Sequence, residues 1–387
     1  MIHTNETSKI IVADPSIVGD RGHNLKLSLK FIKSAGKKSA ILITSRNFNF
    51  DGKLDKKIKV IKFFDSNFYQ PTGNKNIFFS FSFFLKFLIL IKLKLKIKKD
   101  DLIIFPTIDG LIMNLIQRLS ITSKLIDLPK FLLYFFYDPE TSIPNKKFIN
   151  FNSFGYFIRY FKLFKKFFFF CDNPELTRKL NKNYKLKFKT LIPQFNFKIK
   201  QKKNVISFLG NAREEKGFAL IPEIINNINL KHPELTKNIF FNIQCTPQII
   251  GYNSKIINVL KELENFTGKK NINLIKKNLS EEEYENIIEE SKIIICPYSN
   301  KLYRFRGSYI FFEAISADAI VVNNKNMFID YLFKNNPTSC ENINEYVNVI
   351  YKIIKDETFY EAQKIKQKRF FKIYKKINFE NVINKIL

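Results

Sequence analysis

Residues 303 to 313, YRFRGSYIFFE, set two arginines, a Gly-Ser step and a glutamate directly at the start of an apolar run. Arginine is scarce in this chain, accounting for only 9 of its 65 basic residues. A planar, permanently charged guanidinium meets phosphate or carboxylate with two parallel N–H donors, which a lysine point charge cannot do. The stretch is therefore a candidate anion site; the same residues equally make a solvated helix start with no ligand. Only one arginine of the pair need turn inward. Arg306 is that residue, because it adjoins Gly307 and Ser308 at the helix start, where backbone donors and the helix dipole favour an anion. Arg304 then has a surface role.

A second constellation lies in NVISFLGNAREEKGFALIPEII, residues 204 to 225. A strand ends at Gly210, and Arg213 and Lys216 follow before a helix. Ligands of open α/β sheets bind at the carboxyl ends of strands, and a glycine there lets a ligand approach the backbone. Arg213 and Lys216 are placed to meet a diphosphate, although Gly210 as a plain turn and REEK as a solvated helix start remain open. Glu313 would suit a ribose diol, whose hydroxyls need acceptors; an ordinary helix residue is the alternative. His23 is one of three histidines and sits in a glycine-bounded loop after the first strand. With no partner at ligand spacing it is expected to hydrogen-bond a sugar or an acceptor, not a metal, unless it is only a surface residue.

The elements that must carry these residues are short apolar runs alternating with helical spacing. Residues 9–15, 39–45, 59–64, 101–107, 131–139 and 167–173 are expected as buried parallel strands, and 204–211, 238–245, 272–277, 292–298 and 319–324 as a second series. Two series of alternating strand and helix imply two doubly wound α/β domains. The break falls near 191–205, where a proline and a lysine-rich stretch intervene. The expected division is 1–195, 196–350 and a helical tail, 351–387, that packs back across the domains.

A net charge of +30 and a pI near 9.7 invite a nucleic-acid reading, but the lysines are scattered and no helix or ribbon collects them. Nucleic acid is thus not the expected partner, whereas anionic membranes or substrates would be attracted. Cys171, Cys245, Cys296 and Cys340 form no CxxC pair, which fits buried thiols in a reducing compartment. The first residues run from polar straight into a strand and lack a signal peptide's apolar core. Residues 77–99, IFFSFSFFLKFLILIKLKLKIKK, are too short and too charged for a comfortable membrane span. Two readings stay open: a core helix, or an apolar, basic helix lying on a membrane surface.

Taken together, G-x-x-R-x-x-K-G (210–217), the segment 280–299 and R-G-S-x-x-x-x-E-A (306–314) are similar to the donor domain of retaining glycosyltransferases of the GT-B fold, family 4 above all. VADPSIVGDRGHNLKLSLKF (12–31) resembles the first strand and glycine loop of those enzymes. The resemblance implies two Rossmann-like domains facing a central cleft: an acceptor-side domain, then a nucleotide-sugar donor domain. It implies that Gly210, Arg213, Lys216, Arg306, Gly307 and Ser308 hold the donor diphosphate. Glu313 would accept from the ribose or nearby donor groups, and Gly22 and His23 would approach the transferred sugar, His23 and Glu313 being the catalytic candidates. A cytoplasmic, metal-independent enzyme without cofactor would follow, peripheral on the inner face of the membrane and acting in cell-envelope polysaccharide synthesis. Its partners would be a nucleotide sugar and a glycan or lipid-linked acceptor. A nucleotide-sugar epimerase, or a non-catalytic basic membrane or nucleic-acid binding homologue, is the alternative. The sequence departs from the family at two places: Phe305 stands where the first glutamate of a Glu-x7-Glu pair is usual, and Tyr137 and Asp138 stand near the usual mid-domain histidine.

Overall fold

The computed structural model describes residues 8–19, 23–36, 39–50, 52, 54–65, 77–108, 110–123, 125–136, 138, 165–184, 186–193, 195–247, 253–267, 271–333, 336–374 and 378–387. Gly22, Tyr137 and most of the second basic aromatic stretch, 146–164, lie outside them.

The chain divides into two compact units, 1–193 with 377–387, and 194–376. In the first, every expected strand forms: β1 (Ile10–Ala13), β2 (Ala40–Ser45), β3 (Ile58–Phe64), β4 (Leu102–Phe105), β5 (Lys130–Phe135) and β6 (Phe167–Cys171). A short edge strand, β7 (Phe188–Thr190), completes a wholly parallel sheet of order β3-β2-β1-β4-β5-β6-β7. The central strands β1 and β4 are buried along their whole length. This is what continuous Ile, Leu and Phe runs require when helices cover both faces. The connecting helices are α1 (His23–Lys33), α2 (Ile77–Ile89), α3 (Gly110–Thr122) and α4 (Pro174–Tyr184). A π-helical turn, Leu90–Lys94, continues α2.

The second unit repeats the plan with β8 (Lys203–Phe208), α5 (Ile221–Lys231), β9 (Phe240–Gln244), α6 (Ser254–Glu264), β10 (Ile272–Ile275), α7 (Glu281–Glu290) and β11 (Ser291–Cys296). Then come α8 (Asn300–Tyr303), α9 (Tyr309–Ser316), β12 (Ile320–Asn324), a two-residue strand β13 (Ser339–Cys340), α10 (Ile343–Lys355) and α11 (Glu357–Tyr374). Its sheet is also parallel, in the order β10-β9-β8-β11-β12-β13. Strand order reverses beside β8, so the loops after β8 and β11 flank the switch point where ligands of such sheets bind. All four cysteines are free and buried.

The helical tail divides between the units. The α11 helix seals the second sheet: Tyr360 donates its hydroxyl to the Asp318 carbonyl, and Val321 N donates to Gln367 Oε1. The last helix, α12 (Phe379–Ile386), belongs to the first unit. There the Phe379 ring lies 4.5 Å from Phe31, and Lys130 Nζ donates to the carbonyls of Ile386 and Leu387 at 2.8 and 3.1 Å.

Candidate anion-binding site

The site is built where two loops of the second unit lock together. Beyond β8 the chain turns at Gly210 with φ +123°, a conformation that excludes side chains. A Cβ on Gly210 would stand 2.4 Å from Lys216 Nζ, so the end of that lysine would have to move. Gly210 N donates to Gln244 Oε1 at 2.8 Å, and Ala212 N to the Thr246 carbonyl at 3.0 Å, so the end of β9 pins this loop. A 3₁₀ turn, Glu214–Lys216, follows and stops at Gly217 with φ +67°. A Cβ at Gly217 would meet the Pro297 carbonyl oxygen at 1.9 Å. Ser299 N donates to the Glu215 carbonyl at 2.8 Å. GNAREEKG is thereby seated on CPYS, the loop beyond β11.

The lock gathers three cations, Arg213, Lys216 and Arg306, in the neighbourhood of the Glu215 carboxylate. Arg213 Nη1 lies 3.5 Å from Glu215 Oε1, while its buried Nε has no hydrogen-bond partner among the described residues. Lys216 retains some surface, but its ammonium stands over the Gly210 backbone and 5.6 Å from the centre of the Tyr298 ring. No described carboxylate takes it in an ion pair. Burial and then the charge of Arg213 pull its pKa from 10.5 down to about 8; Cys296 and Glu215 pull it back up, and Arg306 adds the smallest lowering. The Arg306 guanidinium lies 5.5 Å from the Tyr303 ring, and the Tyr303 ring is tilted against Tyr298 with centroids 4.6 Å apart. Arg304 instead is exposed, its guanidinium 5.3 Å from the Phe305 ring and 5.1 Å from that of Tyr331.

Ser308 occupies the N-cap position of α9 but caps no helix N–H with its side chain; its hydroxyl interacts with that of Tyr298. Glu313 is buried one turn further along, and the Tyr284 hydroxyl donates to its Oε2 at 2.8 Å. Burial, and then the Glu313 charge, raise the Tyr284 pKa well above the usual phenol value, so this phenol stays protonated and donating. Tyr284 sits on α7, whose N-terminus is a reciprocal capping box between Ser280 and Glu283.

The structure thus brings Gly210, Arg213, Lys216, Arg306 and Ser308 into one neighbourhood, Gly307 linking the last two in sequence. Glu313 stands on the same helix as Ser308, with its carboxylate taken up by Tyr284. His23 is the first residue of α1, in the other unit. Sequence reasoning missed Tyr298 and Tyr284, the side chains that hold the cations and the glutamate in place. The signal for Tyr284 was present: it is the lone aromatic in EEEYE, so it had to be the residue facing inward. Among the described residues, no three His, Cys, Asp or Glu side chains are grouped to hold a metal.

The sequence matches no family model and no curated protein. Among solved structures the chain is similar to the E. coli trehalose-6-phosphate protein bound with UDP-2-fluoro glucose, with 11% identity, a TM-score of 0.64, and 98% of this chain and 99% of that one covered. It is similar to sucrose-phosphate synthase from Thermosynechococcus elongatus, with 10% identity, a TM-score of 0.65, and 98% and 97% covered. A third likeness is to the UDP-forming α,α-trehalose-phosphate synthase from Burkholderia xenovorans in complex with glucose-6-phosphate, with 9% identity, a TM-score of 0.65, and 98% and 100% covered. At such identities the likeness establishes the fold. The chain has the GT-B architecture of two parallel-sheet α/β units.

Proposed function

We propose that the protein is a glycosyltransferase that takes a sugar from a nucleoside-diphosphate sugar, with Arg213, Lys216 and Arg306 holding the diphosphate. The observation that carries this reading is the surplus of positive charge at the switch point of the second sheet. Arg213 pairs with Glu215, no described carboxylate pairs with Lys216, and that lysine is held with its pKa near 8 beside the charges of Arg213 and Arg306. A diphosphate would relieve that repulsion on binding, and the same charges would stabilise it as the leaving group when the glycosidic bond breaks. With three side-chain cations in that role, the reaction needs no metal. The solved structures of this fold that carry UDP-2-fluoro glucose and glucose-6-phosphate favour transfer over epimerisation. They also add a sugar phosphate to the glycan and lipid-linked acceptors worth testing.

In this reading Glu313, oriented by Tyr284, accepts from the donor's ribose, and Ser308 and Gly307 offer donors at the start of α9. The transferred sugar leaves with its anomeric configuration retained. Four free, buried thiols suit a reducing compartment such as the cytoplasm.

The test is a thermal-shift panel of UDP, GDP and ADP and their sugars on the whole protein, followed by assay of nucleoside-diphosphate release with a sugar phosphate or a glycan. A ligand that binds only the native state raises the melting temperature by mass action. We expect one base to stand out and release to depend on acceptor. A panel without any shift would overturn the donor site; binding without acceptor-dependent release would leave a nucleotide-binding protein and overturn the transferase.

A further inference from the structure

The α2 helix has two apolar faces, and among the described residues only one of them is buried. Phe83, Phe84, Phe87, Leu90 and Ile91 are buried, with the Phe87 ring 5.8 Å from Phe63 and 6.0 Å from Phe105. On the opposite side Phe81, Leu85, Ile89 and Leu93 are exposed at 47, 40, 46 and 70%. Their spacing of four lines them up along α2 and its π-helical extension, over roughly 18 Å at 1.5 Å per residue. A surface helix ordinarily turns polar residues outward, so four large apolar side chains in one outward row require explanation. Ile121 and Leu125, at the end of α3, are exposed at 45 and 86%. That end is joined to the α2 segment twice, by Arg118 over the Phe81 ring at 5.5 Å and by a hydrogen bond from Lys92 Nζ to the Asp127 carbonyl.

Charge identifies the occupant. Residues 77–99 hold six lysines and no Asp or Glu, and Lys86, Lys94, Lys96, Lys98 and Lys99 are exposed beside the apolar row. A second copy of the chain would set lysine against lysine. A bilayer with anionic headgroups offers both complements at once, acyl chains for the row and phosphates for the ammonium groups. No described helix is long and apolar enough to cross a membrane. We infer that the protein docks on anionic membranes through the outer face of α2, lying in the interface with Phe81, Leu85, Ile89 and Leu93 inserted. This inference does not depend on the transferase reading.

The experiment uses the whole protein with vesicles of phosphatidylcholine and phosphatidylglycerol, and with vesicles of phosphatidylcholine alone. Sedimentation with the anionic vesicles at low salt, release by added salt and no binding to the neutral ones are expected. A Leu85→Ser, Ile89→Ser, Leu93→Ser variant changes only exposed positions and should lower partition at least about tenfold with its melting temperature unchanged. The chain has no tryptophan, which provides a second readout that needs no loss of function. Leu93→Trp should shift its emission to the blue on anionic vesicles. Leu230→Trp, at a position 80% exposed on the other unit, should not. Absence of binding at low salt, an unmoved Trp at 93, or a triple variant that binds like the parent would each overturn the inference. So would self-association abolished by the triple variant, because the row would then be filled by a second copy.

Discussion

Past the carboxyl ends of β1, β5 and β6 the first unit buries three aspartates, Asp14, Asp138 and Asp172, whereas past β8 and β11 the second unit gathers Arg213, Lys216 and Arg306. The acidic ends are largely settled from within. Asp14 accepts from Ser16 N at 2.8 Å and from Thr107 Oγ1 at 3.1 Å, and Asp138 pairs with Lys179. Asp172 has no hydrogen-bond partner for either oxygen among the described residues, and burial raises its pKa well above the usual carboxylate value. The basic end is not settled from within. Charge that has been neutralised or paired belongs to the architecture; charge left in surplus marks where the molecule has work for a ligand.

Removing the surplus should have the largest effect. Arg213→Ala and Lys216→Met should each weaken binding of the favoured nucleoside diphosphate by about 1.5 to 3 kcal/mol, as for charge-assisted hydrogen bonds, measured by calorimetry. The two lysines with pKa near 8 should then part company in stability. Because the Lys216 pKa is lower folded than unfolded, the unfolded chain holds more protons between about pH 8 and 10.5. Its cost to stability is complete below pH 8 and disappears as the pH rises through that window. Lys216→Met should therefore raise stability at pH 7 by about 1 to 2 kcal/mol, the lower part of the range its shift would allow, since the residue keeps some solvent. Lys202 has a similar pKa, but it donates to the carbonyls of Ile288 and Glu289 at the end of α7. Lys202→Met removes a similar desolvation cost but leaves those carbonyls without that donor, so its gain in urea unfolding should be smaller by about 1 kcal/mol. Equal responses from both lysines would break the distinction between surplus and settled charge.

Two arginines two residues apart sharpen the comparison. Arg306→Lys keeps the charge but loses the planar fork, so turnover should fall about tenfold, while Arg304→Lys should be nearly silent. Equal tolerance would move the phosphate site elsewhere. A pH series gives a smaller effect: diphosphate affinity should hold below pH 8 and decline above it as Lys216 loses its proton. A flat profile to pH 10 would remove the lysine from the site. The smallest effect belongs to the acidic end. The raised pKa of Asp172 means that the folded state binds more protons above pH 4, so this group's contribution falls as pH rises toward its folded pKa. Asp172→Asn should flatten that decline, read as the pH dependence of the urea midpoint.

The strands were legible because parallel strands buried on both faces are written as uninterrupted Ile, Leu, Val and Phe between turn residues. The runs at 10–12, 102–105 and 293–295 show it plainly. The edge strands Phe188–Thr190 and Ser339–Cys340 were not legible, since two or three residues at a sheet margin carry no period to detect. At the site, Gly210, Arg213, Lys216 and Arg306 announced themselves through type and spacing. Tyr298 did not, because in a chain with 43 Phe and 16 Tyr one more aromatic at a strand end stands out from nothing. Its meaning lies in contacts with Lys216, Tyr303 and Ser308 that join positions far apart in the chain. For residues 77–99 the sequence left core helix and surface helix as rivals. The structure shows an opposition that did not exist: one side of α2 is core, and the other is an apolar surface.

The return of α12 to the first unit makes the second unit, in effect, an insertion between two parts of the first. During translation the central segment, 194–376, can close its sheet as soon as it clears the ribosome. The first unit waits, with the surfaces of Phe31 and Tyr134 uncovered, until Phe379 arrives to pack on them. The part of the protein made first is thus finished last, and a ribosome that stalls anywhere in the second unit leaves behind a first sheet whose apolar seam is open to chaperones and to neighbouring nascent chains.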